Sequence, residues 1–370
     1  MAQPIMVGCD LHDRMMLLKI ARGPDKPQTV SVKNTAADRR RMIAQLQAQA
    51  AGAEVMFVYE ASGQGFGLYD ELTAAGIRCF VLAPTKLRRS TQQKRQKTDE
   101  KDAEDLLELL RAHLLAGNRL PKIWIPDQQT RDDRELVRTR LDLADKQTAV
   151  KTQIKGLLKR HGLARPDDVG KGWTRGYLAW LKVLSKLPEH ADWRAALGSL
   201  LRQMDFLDQE LERLDQELLR LLDSPRYASA AAELVKLKGV GPLTALVFLA
   251  EVGDLSRFAN RRQISAYLGL APSSHESGEC GDRKGHITRQ GPSRVRRVLC
   301  QATWSRVRSD GAAHCAYERI VLKNPKRKKI ALVALMRRLA VLMWHRARAA
   351  RGIATPDLVV RRAAHAAPAG

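Results

Sequence analysis

Short apolar runs separated by turn residues fill the first quarter of the chain. Five of these runs have the length and composition of strands, and they cover residues 5–12, 15–22, 29–34, 54–61 and 78–83. Helical periodicity occupies the intervals near residues 35–50 and 67–75. Three closely spaced strands followed by strand, helix and strand predict a mixed α/β sheet.

The stretch KTDEKDAEDL, residues 97–106, opens a segment of helical periodicity that extends to about residue 115. Thr98 has the position of an N-cap, and acidic residues in the first turn suit the positive end of the helix dipole. Leucines from position 106 onward supply an apolar face. A helix is therefore predicted over 98–115, although five acids in ten positions are unusual in a chain with a formal net charge of +24.

A long charged helical pattern covers residues 128–161, and Pro and Gly interrupt it over 162–176. Apolar residues then recur with alternating spacings of four and three, at Leu200, Met204, Leu207, Leu211, Leu214, Leu218 and Leu221. This spacing is typical of a coiled-coil seam, which ends before Pro225. Two interpretations stay open: an antiparallel pair with the 128–161 helix inside one chain, or self-association between chains.

The last part of the chain is predicted to be mainly helical. Around Gly239-Val240-Gly241 the sequence resembles a helix-hairpin-helix, whose turn either offers N–H groups to a phosphate or simply joins two helices. Residues 330–350 have the spacing of an amphipathic helix, with Leu332, Leu335, Leu339 and Leu342 on its inner face. We therefore expect a domain over 1–127, a helical coiled-coil arm over 128–225 and a C-terminal domain over 226–370.

The positive charge of the 370-residue chain is concentrated near its C-terminal end. Residues 281–370 hold 21 Lys+Arg against 4 Asp+Glu, so +17 of the net +24 lies in the last quarter. Such a balance favours a polyanionic partner, and nucleic acid fits better than an acidic membrane because no lipidation signal accompanies the basic residues. We expect no membrane partner.

Cysteine usage and the N-terminal residues bear on localisation. The five cysteines, at positions 9, 79, 280, 300 and 315, are scattered and never spaced as CxxC, which argues against a disulfide framework and a zinc site. The first residues lack a basic start followed by an apolar stretch. A cytoplasmic protein is expected.

Carboxylates close two of the predicted strands. Asp10 ends IMVGCD and Glu60 ends EVMFVYE, and an unpaired charge at the end of a buried strand is costly. If the strands are neighbours, the two acids meet, and the helix at Thr98 can add Asp99 and Asp102, which share a helical face as Asp102 and Asp105 do. Each acid also has a simpler interpretation: a turn cap, a lysine partner or a solvated helix start.

Four converging carboxylates repel one another, and a divalent cation relieves that repulsion. Oxygen ligands select Mg²⁺ or Mn²⁺ over zinc. Two such ions stabilise the attacking and leaving oxygens of phosphoryl transfer. The acids therefore predict metal-dependent chemistry on a phosphodiester.

Three motifs carry a resemblance to a known family. VGCDLH, VYEASGQGFGLYDEL and KTDEKDAE resemble the acidic motifs of the RuvC-like (RNase H-like) DEDD domain in transposases of insertion-sequence family 110, a group similar to Piv DNA invertases. Residues 238–299 resemble that family's C-terminal transposase domain. The resemblance implies an α/β RNase H-like domain followed by a mainly helical domain with a catalytic serine.

The resemblance also implies the functional residues. The family's four metal-binding acids fall on Asp10, Glu60, Asp99 and Asp102, and its serine falls on Ser277 in HESGE. That serine would attack DNA and hold it as a phosphoserine, although Ser-Gly in a polar loop is by itself an ordinary turn. Two serines of the same loop, Ser273 and Ser274, do not match the motif. Whether Asp105, or Asp13 where many relatives carry Lys, joins the metal site stays open.

The predicted function is that of an insertion-sequence transposase, an RNA-guided DNA recombinase. Members of the family use a structured bridge RNA that binds donor and target double-stranded DNA, so both are expected partners, and a homo-oligomer (dimer or tetramer) with a site shared between protomers is a further hypothesis. A metal-dependent RuvC-like junction nuclease would use the same acids without Ser277. A non-catalytic nucleic-acid-binding protein would need only the basic residues.

Overall fold

A computed structural model describes residues 3–87, 98–277 and 280–354, without the side chains of residues 274–284. The chain forms two compact units, Met1–Ile125 and Pro126–Gly370. Within the described residues, no helix has both the length and the apolar character needed to cross a membrane.

A five-stranded sheet is the centre of the first unit. Its strands are β1 (Ile5–Leu11), β2 (Met15–Arg22), β3 (Gln28–Lys33), β4 (Val55–Glu60) and β5 (Arg78–Leu82). They lie in the order β3-β2-β1-β4-β5, antiparallel from β3 to β1 and parallel from β1 to β5. The predicted mixed α/β sheet is confirmed.

Helices cover both faces of this sheet because the side chains of β1 alternate between them. On one face Ile5, Val7 and Cys9 are buried with residues of α1 (Ala36–Ala50) and α2 (Gly67–Ala74). On the other face Met6 is buried with Leu106, Leu107 and Leu110 of α3 (Asp99–Ala116). Asp10, an even-numbered residue of β1, therefore belongs to the face that α3 covers.

Gly8 of β1 determines how closely α3 approaches the sheet. A Cβ at this position would overlap the carbonyl oxygen of Ala103 and lie 2.5 Å from the backbone nitrogen of Leu107. At Gly8, strand and helix are therefore in backbone contact, with no side chain between them. The contact residue Ala103 directly follows Asp102, so the close approach brings the first turns of α3 to the end of β1.

The second unit begins with two long helices that pack against each other, α4 (Gln128–Arg160) and α6 (Ala191–Leu222), with α5 (Arg175–Leu184) beside them. The C-terminal end of α4 packs on the N-terminal end of α6 through Ile154 and Leu201, and Leu141 meets Leu218 at the opposite end. The pair is therefore antiparallel. The apolar seam predicted from Leu200 to Leu221 is occupied within the chain.

The remaining helices surround a core that contains Trp344 and Phe248, both fully buried. They are α7 (Ala228–Val235), α8 (Pro242–Val252), α9 (Arg261–Tyr267), α10 (Ser293–Ser309), α11 (Gly311–Val321) and α12 (Lys328–Ala350). The indole of Trp344 donates a hydrogen bond to the Leu255 carbonyl, 3.1 Å away. Helix α12 agrees with the predicted helix over 330–350.

Three features qualify the predictions for this unit. A hairpin of β6 (Pro272–Ser277) and β7 (Cys280–Ile287) includes Ser277, which the sequence placed in a polar loop. At Gly239 the backbone has a φ of +87°, and a Cβ there would lie 2.7 Å from the backbone nitrogen of Arg306. That glycine is thus required by packing against α10. The separate domain predicted over 128–225 stays a prediction.

Candidate metal centre at the end of the sheet

Asp10 and Glu60 close neighbouring strands at the same sheet edge. Strands β1 and β4 run parallel and in register, with Gly8 opposite Val58 and Cys9 opposite Tyr59. Asp10 and Glu60 are the next residues along each strand. Because they follow in the same alternation, both belong to the face covered by α3. The convergence predicted from the strand ends is thereby explained by register.

Helix α3 adds its acids because it begins at this edge. The Thr98 side chain accepts a hydrogen bond from the Lys101 backbone nitrogen at 3.3 Å, so Thr98 is the N-cap, as predicted. Asp99 and Asp102 lie in the first turn, where the helix dipole stabilises negative charge. Their exposure differs greatly: the Asp99 side chain is 64% exposed, whereas Asp102 is only 7% exposed.

His12 lies beside two of the acids, although sequence reasoning did not select it. Its Nε2 is 3.0 Å from Asp10 Oδ2 and 3.5 Å from Asp99 Oδ1. One ligand atom from each of these three residues lies within 4.8 Å of the others. Asp10 and His12 are two residues apart at a strand end, and this spacing is a signal that places both on one face.

The electrostatics of Asp10 reflect this crowding. Burial raises the pKa of the Asp10 carboxyl above its ordinary value, and the nearby carboxylates of Asp102 and Asp99 raise it further. The contact with His12 acts in the opposite direction, because a cationic imidazole favours the ionised carboxylate. Asp10 is therefore affected by Asp99 and Asp102 of the first turn of α3.

Glu60 meets the same helix through a cavity of 470 Å³. Glu60, Asp102 and Asp105 all contribute to its lining, together with the cations Lys86 and Arg119. Asp102 is therefore close to both Asp10 and Glu60: its charge raises the pKa of Asp10, and its side chain lines the same cavity as Glu60. Among the described residues, only Asp10, His12 and Asp99 place ligand atoms within 4.8 Å of one another; Glu60 and Asp102 lie at the same edge of the sheet but outside that group, and Asp105 shares their cavity.

These residues fit a divalent cation. Carboxylate oxygens are the donors that Mg²⁺ and Mn²⁺ prefer, and the mutual repulsion felt by Asp10 is what a cation would relieve. The His12 imidazole stands between two carboxylates, as a cation would. Asp13 is exposed and is not part of the group of ligand atoms formed by Asp10, His12 and Asp99.

A buried lysine lies next to the first turn of α3. Lys19 of β2 is paired with Gly8 in the sheet register, and its side chain is only 11% exposed. Its ammonium donates a hydrogen bond to Thr29 Oγ1 at 2.8 Å and lies 3.8 Å from Glu100 Oε2. Glu100 directly follows Asp99, so this contact anchors the helix start that carries the acids.

Ser277 is the last residue of β6, where it pairs with Cys280 of β7. Its side chain lies outside the described residues, so its orientation is not part of the geometry above. Among its neighbours, the Ser273 hydroxyl donates a hydrogen bond to the His286 carbonyl at 2.9 Å across the hairpin. Ser273 therefore has a structural partner.

Comparison with known proteins agrees with this arrangement. Residues 231–318 match the "Transposase IS116/IS110/IS902 family", and residues 7–162 match the DEDD domain of IS110 transposases, described as "Transposase". That DEDD domain is RNase H-like, in agreement with the mixed sheet and its covering helices. Together the two matches include both units of the chain.

Relatives give the same result. A putative transposase y4qE of Sinorhizobium fredii is 33% identical over 72% of this chain and 62% of its own length. A second from that organism, putative transposase y4rJ, is 30% identical over 78% of this chain and 75% of its own length. The pilin gene-inverting protein of Moraxella bovis is 26% identical over 36% of this chain and 42% of its own length. The chain belongs to the IS116/IS110/IS902 family of insertion-sequence transposases.

Proposed function

We propose that this chain cuts and rejoins DNA for an insertion sequence, using the acid cluster as a metal site and Ser277 as the nucleophile. The observation that carries the proposal is the convergence of Asp10, Asp99 and Asp102, with Asp102 also lining the Glu60 cavity. Separate elements supply these carboxylates, and helix capping alone does not account for them. Metal-dependent enzymes that act on phosphodiesters use such a group of carboxylates.

Each residue has a distinct role in this proposal. Asp10, Glu60, Asp99 and Asp102 would hold Mg²⁺ or Mn²⁺, which when bound stabilises negative charge on the attacking and leaving oxygens. The Ser277 hydroxyl oxygen bonds to phosphorus while the phosphorus–oxygen bond to one deoxyribose breaks, and the serine proton passes to the departing oxygen. A second strand's hydroxyl then displaces Ser277 and restores the serine. Because one phosphodiester bond is exchanged for another at each step, the phosphoserine keeps the bond free energy that rejoining requires.

Trapping the covalent adduct tests the role of Ser277. Wild-type protein incubated with labelled element-end DNA and Mg²⁺ should give a denaturant-resistant protein–DNA species, which Ser277→Ala should not form. Ser273→Ala is the matched control, because it removes a serine from the same strand and should retain the adduct. An adduct that persists in Ser277→Ala would contradict the assignment.

Guidance by a structured RNA is part of the proposal, as is binding of donor and target duplexes. The excess of +17 in residues 281–370 supports it, since joint binding of RNA and DNA needs many phosphate contacts. Purified protein should carry an RNA whose sequence matches the flanks of the element. Nuclease-treated protein should lose recombination and recover it when that RNA is added; unaltered activity after treatment would reject guidance.

The acids and Ser277 belong to different compact units, and this separation supports a site shared between protomers of a homo-oligomer. Mixing an Asp10→Ala, Glu60→Ala chain with a Ser277→Ala chain should then restore part of the recombination. Each variant alone should be inactive. If both fold and assemble but the mixture stays inactive, the site is not shared.

A metal-dependent junction nuclease is the second candidate. It is favoured by one observation, the assembly of the acids within the first unit without Ser277. Such an enzyme would cut branched DNA with Mg²⁺, form no adduct and remain active as Ser277→Ala. The adduct experiment therefore separates the two functions.

A further inference from the structure

Helix α4 and the loop that follows it divide sharply by charge. Residues 127–145 contain 4 Lys+Arg and 6 Asp+Glu, whereas residues 146–187 contain 10 Lys+Arg and 2 Asp+Glu. Helix α4 is thus acidic in its first half and basic in its second half, and the basic character continues through the loop and α5. The two halves have different surroundings within the second unit.

The acidic half is neutralised by arginines. Four guanidinium–carboxylate pairs hold it at N–O distances of 2.6 to 3.0 Å: Arg138 with Glu251, Arg140 with Asp215, Arg294 with Asp142 and Arg297 with Asp145. Three of these pairs join α4 to α8 or α10. Charge in this half is therefore used to fix the helix against its neighbours.

In the part of the chain that the structure describes, the basic half is mostly without such pairs, although Lys182 contacts Asp205 at 2.9 Å. Five exposed cations there have no carboxylate within ion-pair distance among the described residues: Lys155, Lys159, Arg160, Lys171 and Arg175. Lys151, Lys155 and Lys159 follow one another at steps of four, so they form one row along α4. Like charges at that spacing destabilise a helix. An anionic partner would offset this cost.

Aromatic rings form a floor beneath the row. The ammonium groups of Lys151 and Lys155 lie 5.7 and 5.9 Å from the ring centre of Trp173. Beside them the Arg165 guanidinium lies 3.8 Å above the Tyr177 ring. Cation–π contacts of this kind hold long side chains in place without neutralising their charge.

A groove with a volume of 580 Å³, here termed the lysine groove, lies between α4 and the loop that follows it. Its lining includes Lys155, Leu158, Lys159, Leu163, Arg165 and Tyr177. Tyr177 is 2% exposed and belongs to a packed core, so the floor is rigid, while Lys155 and Lys159 are exposed. A rigid aromatic floor with several unneutralised cations suits a chain of phosphates.

We infer that the lysine groove binds the phosphate backbone of a nucleic-acid strand. The inference rests on the proposed function only in that nucleic acid is the polyanion at hand. It adds a contact surface within residues 146–187, far along the sequence from both the acid cluster and the basic residues 281–370. Contacts to phosphates position a nucleic acid without reading its sequence.

The test removes charge from the groove and compares it with equal removal elsewhere. Lys155→Gln, Lys159→Gln and Arg165→Gln, three cations that line the groove, are combined in the full chain. Its control combines Lys26→Gln, Lys33→Gln and Lys122→Gln, three exposed lysines of the first unit. Binding of a fluorescein-labelled DNA strand, the same sequence as RNA, and the DNA duplex is followed by anisotropy over a KCl series.

The groove variant should bind roughly tenfold more weakly, and its slope of log K against log salt should fall by about 2, since each phosphate contact to a single strand contributes about 0.7. The control should stay within about twofold of wild type. Loss with RNA alone assigns the groove to a guide, and loss with DNA alone assigns it to the substrate. Equal binding by groove variant and control would overturn the inference.

Failure of the groove and failure of the proposed function give different results. If wild type forms no serine adduct but the groove variant binds nucleic acid weakly, the inference about the groove is supported and the proposed recombinase function is rejected. If the adduct forms and the groove variant binds nucleic acid like its control, the proposed recombinase function is supported and the inference about the groove is rejected.

Discussion

The acid cluster and the lysine groove both concentrate charge of one sign, but they are built differently. The acids lie at the edge of a packed sheet, with Asp102 7% exposed and α3 in backbone contact with β1. In the groove, exposed lysines stand on long side chains over a fixed aromatic floor. A small, dense cation needs ligands held in place, whereas a polyanion is met by charges that can follow its backbone.

This difference predicts how each region responds to substitution. Changes in the acid cluster should act steeply on activity, because one misplaced ligand weakens a metal site as a whole. Changes in the groove should act in small, additive steps that salt can mimic. Substitutions at Asp102, Gly8 and Lys19, each with comparison variants, test the rigid side of the comparison.

The largest effect is expected at Asp102. Asp102→Asn should lower strand cleavage by roughly a thousandfold, since metal-assisted charge stabilisation is lost while the shape of the residue is retained. Asp105→Asn lines the same cavity but lies outside the acidic motif, and it should cost less than about tenfold. Single-turnover cleavage at saturating Mg²⁺ measures both.

Asp99→Asn completes this comparison and decides the second helical ligand. A loss like that of Asp102→Asn would support Asp99 as a ligand. If instead Asp99→Asn remains active and Asp105→Asn does not, the helix contributes Asp102 and Asp105, and the assignment from the motif is wrong.

Gly8→Ala should have the next largest effect. The added Cβ meets backbone atoms of Ala103 and Leu107, which cannot turn aside as a side chain would. Moving α3 outward should cost about 1–3 kcal/mol of unfolding free energy. Urea unfolding measures this loss, and Mn²⁺ affinity should fall with it because the acids separate.

Gly67→Ala is the control for this substitution. A Cβ at Gly67, the first residue of α2, meets nothing within 4 Å. Its unfolding free energy should stay within about 0.5 kcal/mol of wild type. Equal stability of the two variants would show that the strand–helix contact is not as tight as described.

Lys19→Met should give the smallest effect, which lowers the stability of the metal-free protein but increases its stabilisation by Mg²⁺. Without its ammonium the first turn of α3 loses an anchor and the acids lose a nearby positive charge, so the metal-free protein should be less stable by about 1 kcal/mol. For the same electrostatic reason, the increase in melting temperature on adding Mg²⁺ should be larger than in wild type. Lys19→Arg should resemble wild type, and an unchanged response to Mg²⁺ in Lys19→Met would separate Lys19 from the site.

Local patterns were enough to predict much of the first unit. Strand length and composition indicated β1 and β4, the N-cap residue located the start of α3, and parallel register explains why Asp10 and Glu60 meet. His12 was missed because its importance depends on α3 arriving over the strand end. The β6–β7 hairpin was missed because its strands are polar, and pairing there depends on backbone hydrogen bonds that leave little periodicity.

The lysine groove was missed for another reason. Aromatic residues are only 5% of the chain, and this average gives no indication of a local aromatic cluster. Three of the six tryptophans nevertheless lie within residues 173–193, which begin at the end of the loop after α4. Averages over a chain conceal local clusters, and the charge division within α4 is visible only when its two halves are counted separately.

Backbone contact at Gly8 also bears on which ion the first unit accepts. A side chain at position 8 could shift and let the ligands spread around a larger ion, but at Gly8 the backbones of β1 and α3 meet directly. Ca²⁺ takes oxygen ligands at about 2.3–2.6 Å, against about 2.0–2.1 Å for Mg²⁺. Gly8, which brings the acids together, should therefore also favour Mg²⁺ over Ca²⁺, because ligands held this close do not suit the longer Ca²⁺–oxygen distances.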